Sequence, residues 1–261
     1  MLKITATNAY NDSLQVTQNS LFRVTAEGLN PPAGTIYTAE LASKNGSLYS
    51  ASKVNNRNII LNVWPAGRNT AACRLELYKI FKVSKSVNLR IETGSRDCEI
   101  DGYIENMDSD FDNYAQQMQI SIVCPDPLLK AHTPTTASAT TAGTAVTVAN
   151  AGDFDTGAVF EITATGAVEG LTISNNTTGE TFGINVTLAA GDKVTLNTKQ
   201  GEKSLILTPN GQSPTNILNK MTDGSKWLTL QPGNNSVAFT ATSGGANATM
   251  TIAFSALYGG I

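Results

Sequence analysis

LTISNNTTGETFGINVTLAAGDKVTL, residues 171–196, is the stretch whose pattern decides the fold. Within it Phe182, Ile184, Val186 and Leu188 alternate with Thr181, Gly183, Asn185 and Thr187. Successive side chains of a strand point to opposite faces, so this period of two places one apolar face on a core and leaves a polar face wet. The flanking turns, residues 175–180 and Ala190-Gly191-Asp192, carry Gly and Asn, which accept positive φ, and short polar side chains that bond nearby backbone. Well-patterned strands joined by polar turns are the expectation for a β-sandwich.

Outward from this stretch, the second half of the chain repeats the pattern. Strands are expected at 145–149, 158–164, 171–175, 180–188, 193–197, 203–207, 227–230, 236–241 and 248–258, with one short helical turn within 216–224. The run HTPTTASATTAGTA, residues 132–145, has no large apolar residue and reads as a linker or an exposed edge strand. Turn signals at short, regular spacing are the pattern of an all-β sandwich or barrel.

The first half differs. Residues 1–130 hold 13 of the 18 Lys and Arg, 13 of the 21 Asp and Glu, and all three cysteines. That shift, with Pro125-Asp126-Pro127 ending a strand, divides the chain into an N-terminal domain, 1–130, and a C-terminal domain, 131–261. Short strands are expected at 2–7 and 21–26, a firm one at 59–64, and further strands at 87–92, 97–106 and 117–124. Residues 28–58 show little periodicity and read as a long excursion or a hairpin arm, of a kind that tends to be functional or partner-dependent. NTAACRLELYKIFKVS, residues 69–84, is the one good helix candidate. Asn69 or Thr70 would cap it, and Ala71, Leu75, Tyr78 and Phe81, widened by Leu77 and Ile80, would form its apolar face. The fold class is therefore mainly β, two domains, with one helix in the first.

Composition limits function. Apolar residues at 41% suffice for a core, whereas charged residues reach only 15%, against about 25% in an average soluble protein. The net charge of −3 supplies no basic excess to neutralise phosphates, so nucleic-acid binding is not expected. No apolar run approaches the ~20 residues that span a bilayer, and the start MLKITATNAY lacks a signal-peptide core, so synthesis and folding in the cytoplasm are expected. Cys73, Cys98 and Cys124 form no CxxC pair and read as free, buried thiols.

Chemistry-bearing patterns are few, and no catalytic residue, cofactor site or metal site is assigned. His132 is the single histidine, and no nucleophile motif accompanies it. Residues 108–113, DSDFDN, open like a calcium loop, but the sixth position is Asn113 and the twelfth Gln119, so a solvated acidic turn is the better reading. Asp97, Glu99, Asp101 and Glu105 fall at odd positions of one strand and read as its polar face rather than a glycosidase pair. Trp64 and Trp227 could each stack on a sugar, although a Trp beside Leu228 and Leu230 is more often core.

Taken in order, the motifs resemble the distal tail protein (Dit) family of siphophages, long-tailed non-contractile bacteriophages. In the first half the likeness lies in residues 21–27, the 59–65 strand with its helix, Ile100-Asp101-Gly102-Tyr103-Ile104-Glu105, and QMQISIVCPDPLL at 117–129. In the second half it lies in Phe154-Asp155-Thr156-Gly157, residues 173–180, residues 190–196, and Leu230-Gln231-Pro232-Gly233-Asn234-Asn235. The resemblance implies a tail-tube-like N-terminal β-sandwich or barrel that forms a ring, and a galectin-like C-terminal β-sandwich. It also implies a structural virion protein with no enzymatic activity, a homohexameric baseplate hub at the viral tail tip, assembled in the host cytoplasm. Its implied partners are itself, the major tail tube protein, and the tail-associated, tape-measure and receptor-binding proteins. DNA would pass through the lumen without specific binding, and no membrane insertion is implied. The alternative is a carbohydrate-binding adhesion module that recognises the host envelope through Trp227.

Overall fold

A computed structural model describes residues 2–42, 45–66, 70–109, 117–139 and 141–261. Contacts divide the chain into two compact units, Met1–His132 with Tyr258–Ile261, and Thr133–Leu257.

The first unit contains β1 (Lys3–Asn8), β2 (Ser13–Gln15), β3 (Phe22–Glu27), β4 (Gly34–Glu40), β5 (Ser47–Val54), β6 (Arg57–Pro65), α1 (Thr70–Ile80), β7 (Ser86–Glu92), β8 (Asp97–Ser109), β9 (Met118–Cys124) and β10 (Leu129–Ala131). Its main sheet runs β2-β1-β7-β8-β9-β6-β3 through antiparallel pairs, with β10 added on β8. Alternation fixes the register: along β9, Met118, Ile120, Ile122 and Cys124 are buried while Gln119 is exposed. The sheet's inner face and α1 close one core around Ile4, Leu61, Leu89, Ile100 and Ile120.

The helix is rotated from its expected face. Cys73, Leu77, Ile80 and Phe81 are buried, whereas Leu75 and Tyr78 are exposed. The buried side chains recur at the 3.6-residue period, and Leu75 and Tyr78 fall on the other side of the cylinder. The helix stops at Ile80; the chain turns at Ser84, which takes φ 61°. The expected cap Asn69 lies outside the described residues.

The excursion at 28–58 is a hairpin. Among the described residues β4 and β5 pair only with each other, and every position of β5 and all but Thr35 of β4 are exposed. Its periodicity was unreadable because neither face packs on a core among the described residues.

The second unit contains β11 (Thr135–Ala139), β12 (Val146–Asn150), β13 (Val159–Ala164), β14 (Val168–Asn175), β15 (Glu180–Leu188), β16 (Lys193–Asn197), β17 (Ser204–Thr208), β18 (Thr215–Asn216), β19 (Gly233–Ser243) and β20 (Ala248–Phe254). A six-stranded sheet, β11-β20-β13-β16-β17-β18, and a four-stranded sheet, β12-β19-β14-β15, enclose one core that includes Phe160, Phe182, Phe239 and Phe254. Each such ring, fully buried, contributes about 1.5–3 kcal/mol. Of the two readings of 132–145, the edge strand holds: β11 pairs with β20. A single 3-10 turn, Leu218–Lys220, stands where one helical turn was expected.

Residues 227–230 are not a strand. The residues just before it cover the edge of β15 with irregular backbone: Thr222 N donates to Gly183 O at 3.0 Å and Lys226 N to Thr181 O at 2.8 Å. The segment's alternation reflects the burial of Leu228 and Leu230, and Leu230 alone joins Thr156 in an isolated antiparallel bridge. The apolar stretch at 248–258 likewise breaks after Phe254.

Candidate functional site

The carboxylates of β8 do stand on its polar side, each with its own partner. Arg90 donates to Asp97 through Nε at 2.9 Å and Nη2 at 2.8 Å. That hydrogen-bonded guanidinium holds the Asp97 carboxyl below its usual range. Asn88 donates to Asp101 at 2.9 Å, Ser121 to Glu105 at 2.8 Å, and His132 Nδ1 lies 3.0 Å from Glu99 Oε2. The first three are cross-strand pairs that knit neighbouring strands, and His132 follows the end of β10. The three thiols are buried. Burial raises the Cys73 thiol and pushes that of Cys124 up to about 11, so neither is an activated nucleophile. Among the described residues no group of three or more His, Cys, Asp or Glu could hold a metal ion. Most of the calcium-like run, residues 110–116, lies outside the described residues.

Trp227 is half-buried. Its ring meets Phe182 at a centroid distance of 5.1 Å and 52°, with the Lys203 ammonium 5.3 Å from its centroid. Trp64, half-buried on β6, stands opposite Arg23 of β3.

What the structure brings together is the set of turn motifs in the second unit. Asn175, which ends β14, donates to Thr229 O at 2.7 Å and to Asn235 Oδ1 at 3.2 Å, and accepts from Thr177 N at 3.0 Å. Asn235 donates to Gln231 O at 2.8 Å and Gly233 O at 3.2 Å, and accepts from Gln231 N at 3.0 Å. Asn150 donates to Leu230 O and Phe154 O, and Glu180 accepts from Thr229 N at 2.7 Å and from its hydroxyl at 2.9 Å. Asn150, Asn175 and Asn235 are each at most 2% exposed. A carboxamide both donates and accepts, so buried Asn pays the hydrogen-bond needs of loop backbone that no ladder can meet. The knot therefore fixes loops and holds no reacting group.

The surface that remains unexplained by folding is the β4–β5 hairpin. Ile36 faces Ser52 across the pair, Tyr49 Oη lies 2.9 Å from Ser52 Oγ, and Val54 is opposite Gly34, so Ile36, Tyr49 and Val54 share one face. Tyr37, opposite Ala51, and Leu48, opposite Ala39, occupy the other. Ile36 is 67% and Tyr49 66% exposed, and Tyr37 and Leu48 are exposed as well. An isolated two-stranded hairpin is marginal in water, and apolar residues on both of its faces mark an interaction element.

Three comparisons bear on this geometry. Residues 151–258 match the family model described as siphovirus-type tail component, C-terminal domain. No curated protein sequence matches the chain. Among solved structures, the SPP1 Dit (gp 19.1) protein, described as a paradigm of hub adsorption apparatus in phages infecting Gram-positive bacteria, aligns over 97% of this chain and 98% of its own at TM-score 0.72 and 15% identity. A chain of the phage P2 baseplate in its activated conformation with Ca aligns over 97% and 98% at TM-score 0.53 and 9% identity, and one from the Sr form at 0.53 and 8%.

Proposed function

We propose that this chain, whose residues 151–258 belong to the siphovirus-type tail component family and whose whole length has the Dit fold, is a structural hub protein of a bacteriophage tail. In this reading copies of the chain assemble into a ring at the tail tip, six to the ring, as part of the virion. The first unit continues the tail tube, and the second serves as the outward platform for tail-associated and receptor-binding proteins. The observation that carries the reading is the alignment of 97% of this chain with 98% of the SPP1 hub protein.

Two further features support it. A ring subunit needs faces that meet other copies, and the two-sided hairpin supplies an apolar element that pairs with no other strand among the described residues. A lumen that passes DNA must not hold it, and the net charge of −3 gives no such hold.

Mass measurement of the purified chain, alone and mixed with the cognate tube protein, with electron microscopy of the products, tests the proposal. Closed rings of one chain, capping tube ends in the mixture, are expected. A chain that stays monomeric in both settings and never joins tube or tip would overturn it.

A further inference from the structure

The hairpin leaves the first unit through residues 28–33 and returns at residues 55–57. Where the two legs meet, Arg57 is only 3% exposed, and its guanidinium is ringed by main-chain oxygens. Nε donates to Pro127 O at 2.7 Å, Nη1 to Gly28 O at 2.8 Å and Asn30 O at 3.0 Å, and Nη2 to Gly259 O at 2.6 Å. One side chain, on the returning leg, thus bonds the outgoing leg twice and the end of the chain once. A buried guanidinium tolerates its loss of water only while its donors stay satisfied, so these oxygens are held together or the cation is exposed.

Residues 258–261 make further contacts, with the turn between β7 and β8 and with the same root. Arg96 donates to Gly260 O, and its guanidinium lies 4.4 Å over the Tyr258 ring. Ile261 N donates to Leu29 O at 3.4 Å. Gly260 is pressed so closely on the outgoing leg that a Cβ there would stand 3.0 Å from Pro31 Cδ and 3.1 Å from Leu29 O. Gly28, at φ +81°, brings that leg against Asn58, where a Cβ would stand 2.0 Å from the carbonyl oxygen.

We infer that residues 259–261 are a latch on the hairpin arm, with Arg57 the positioning residue that ties both legs to the returning chain. Among the described residues the arm joins no larger sheet that would fix its direction, so its bearing is set at the root, by bonds that segment 259–261 completes. Because residues 133–257 intervene, the root closes only once the chain has run through the second unit and come back. Chains cut short of Gly259 present a loose arm. The latch itself stands on the first unit's geometry; its consequence for assembly rests on the hub reading.

Hydrogen exchange read by mass spectrometry on the full chain, on the chain lacking residues 259–261, and on Gly260→Val tests the latch. In both variants peptides covering 28–35 and 52–58 should exchange at least about tenfold faster, while those from β7 to β9 and from 133–257 change less than about twofold. Unchanged legs would overturn the latch. Uniform acceleration through β6 to β9 would also overturn it, since segment 259–261 would then be an ordinary part of the unit's stability. Arg57→Lys, which keeps the charge but loses the fork of donors, should reproduce the loosened legs. Self-association is read on the same samples. Loosened legs with weakened assembly support both inferences, whereas loosened legs with undiminished assembly keep the latch and count against a role for the arm in the ring.

Discussion

At the residue scale, the buried Asn knot sets the largest polar costs. Asn235 sits among four neighbours whose backbone or amide groups it satisfies, and truncation leaves several of them dry and unpaired. Asn235→Ala should therefore cost about 2–4 kcal/mol, from unpaired buried groups at about 1–3 kcal/mol each with partial relaxation, read as a lower urea midpoint at unchanged slope. Trp227→Ala should remove packing against Phe182 and cost about 2–3 kcal/mol, below the 3–5 of a fully buried ring because this one is half-buried. If glycan-array binding is present and lost in Trp227→Ala without that destabilisation, the ring serves a sugar instead. Asp192 gives a pH signature. Its carboxylate accepts from Ala189 N and Asn210 N, both at 2.9 Å, and these bonds hold its pKa below the ordinary value. A depressed carboxylate stabilises the fold above its unfolded pKa of about 3.9, and the gain is lost as pH falls through the lower folded value. The stability difference between wild type and Asp192→Ala should be constant from neutral pH down to about 5 and shrink below about 4, as measured by urea titrations across pH.

At the scale of elements, the arm would separate folding from assembly in the hub reading. Ile36 and Tyr49 are each about two-thirds exposed, so the pair Ile36→Ser with Tyr49→Ser should alter monomer stability by less than about 0.5 kcal/mol while weakening self-association by tenfold or more. Equal losses in both would mean that the arm packs within its own chain. The same exposure explains what could be read beforehand. Strands with one buried face, such as β9 and β15, were legible because burial forces alternation, and β15 and β16 lie on the expected residues, 180–188 and 193–197. The arm had no periodicity because nothing among the described residues buries it. The 227–230 segment showed alternation without being a strand, since Leu228 and Leu230 must be buried whatever the backbone does. The helix was legible as a helix but not in its rotation: with Leu75 and Tyr78 apolar yet exposed, nearly every direction around it looked like a core face. The turn motifs were visible as turns, while their convergence through Asn150, Asn175 and Asn235 depends on contacts 60 or 80 residues apart, beyond any local pattern. Arg57 gave no signal at all, because a cation held by carbonyls needs no carboxylate at a recognisable spacing.

For the whole molecule, the two cores share no residue. One gathers Ile4, Leu61, Leu89 and Ile120 with their neighbours, the other Phe160, Phe182, Phe239 and Phe254. Units of roughly 130 residues are each large enough to bury a core of their own, so each should unfold as its own cooperative step. The chain carries two tryptophans, Trp64 in the first unit and Trp227 in the second, and so provides one fluorescent reporter for each. With Trp64→Phe as background, fluorescence follows the second unit alone; with Trp227→Phe it follows the first. Leu89→Ala, at a fully buried position of β7, should cost about 2–5 kcal/mol and lower only the transition seen through Trp64. Phe160→Ala on β13 should cost about 3–5 kcal/mol and lower only the transition seen through Trp227. If either substitution shifts both reporters together, the units unfold as one body. Separate transitions would leave the second unit able to accept substitutions without loosening the unit that carries the arm.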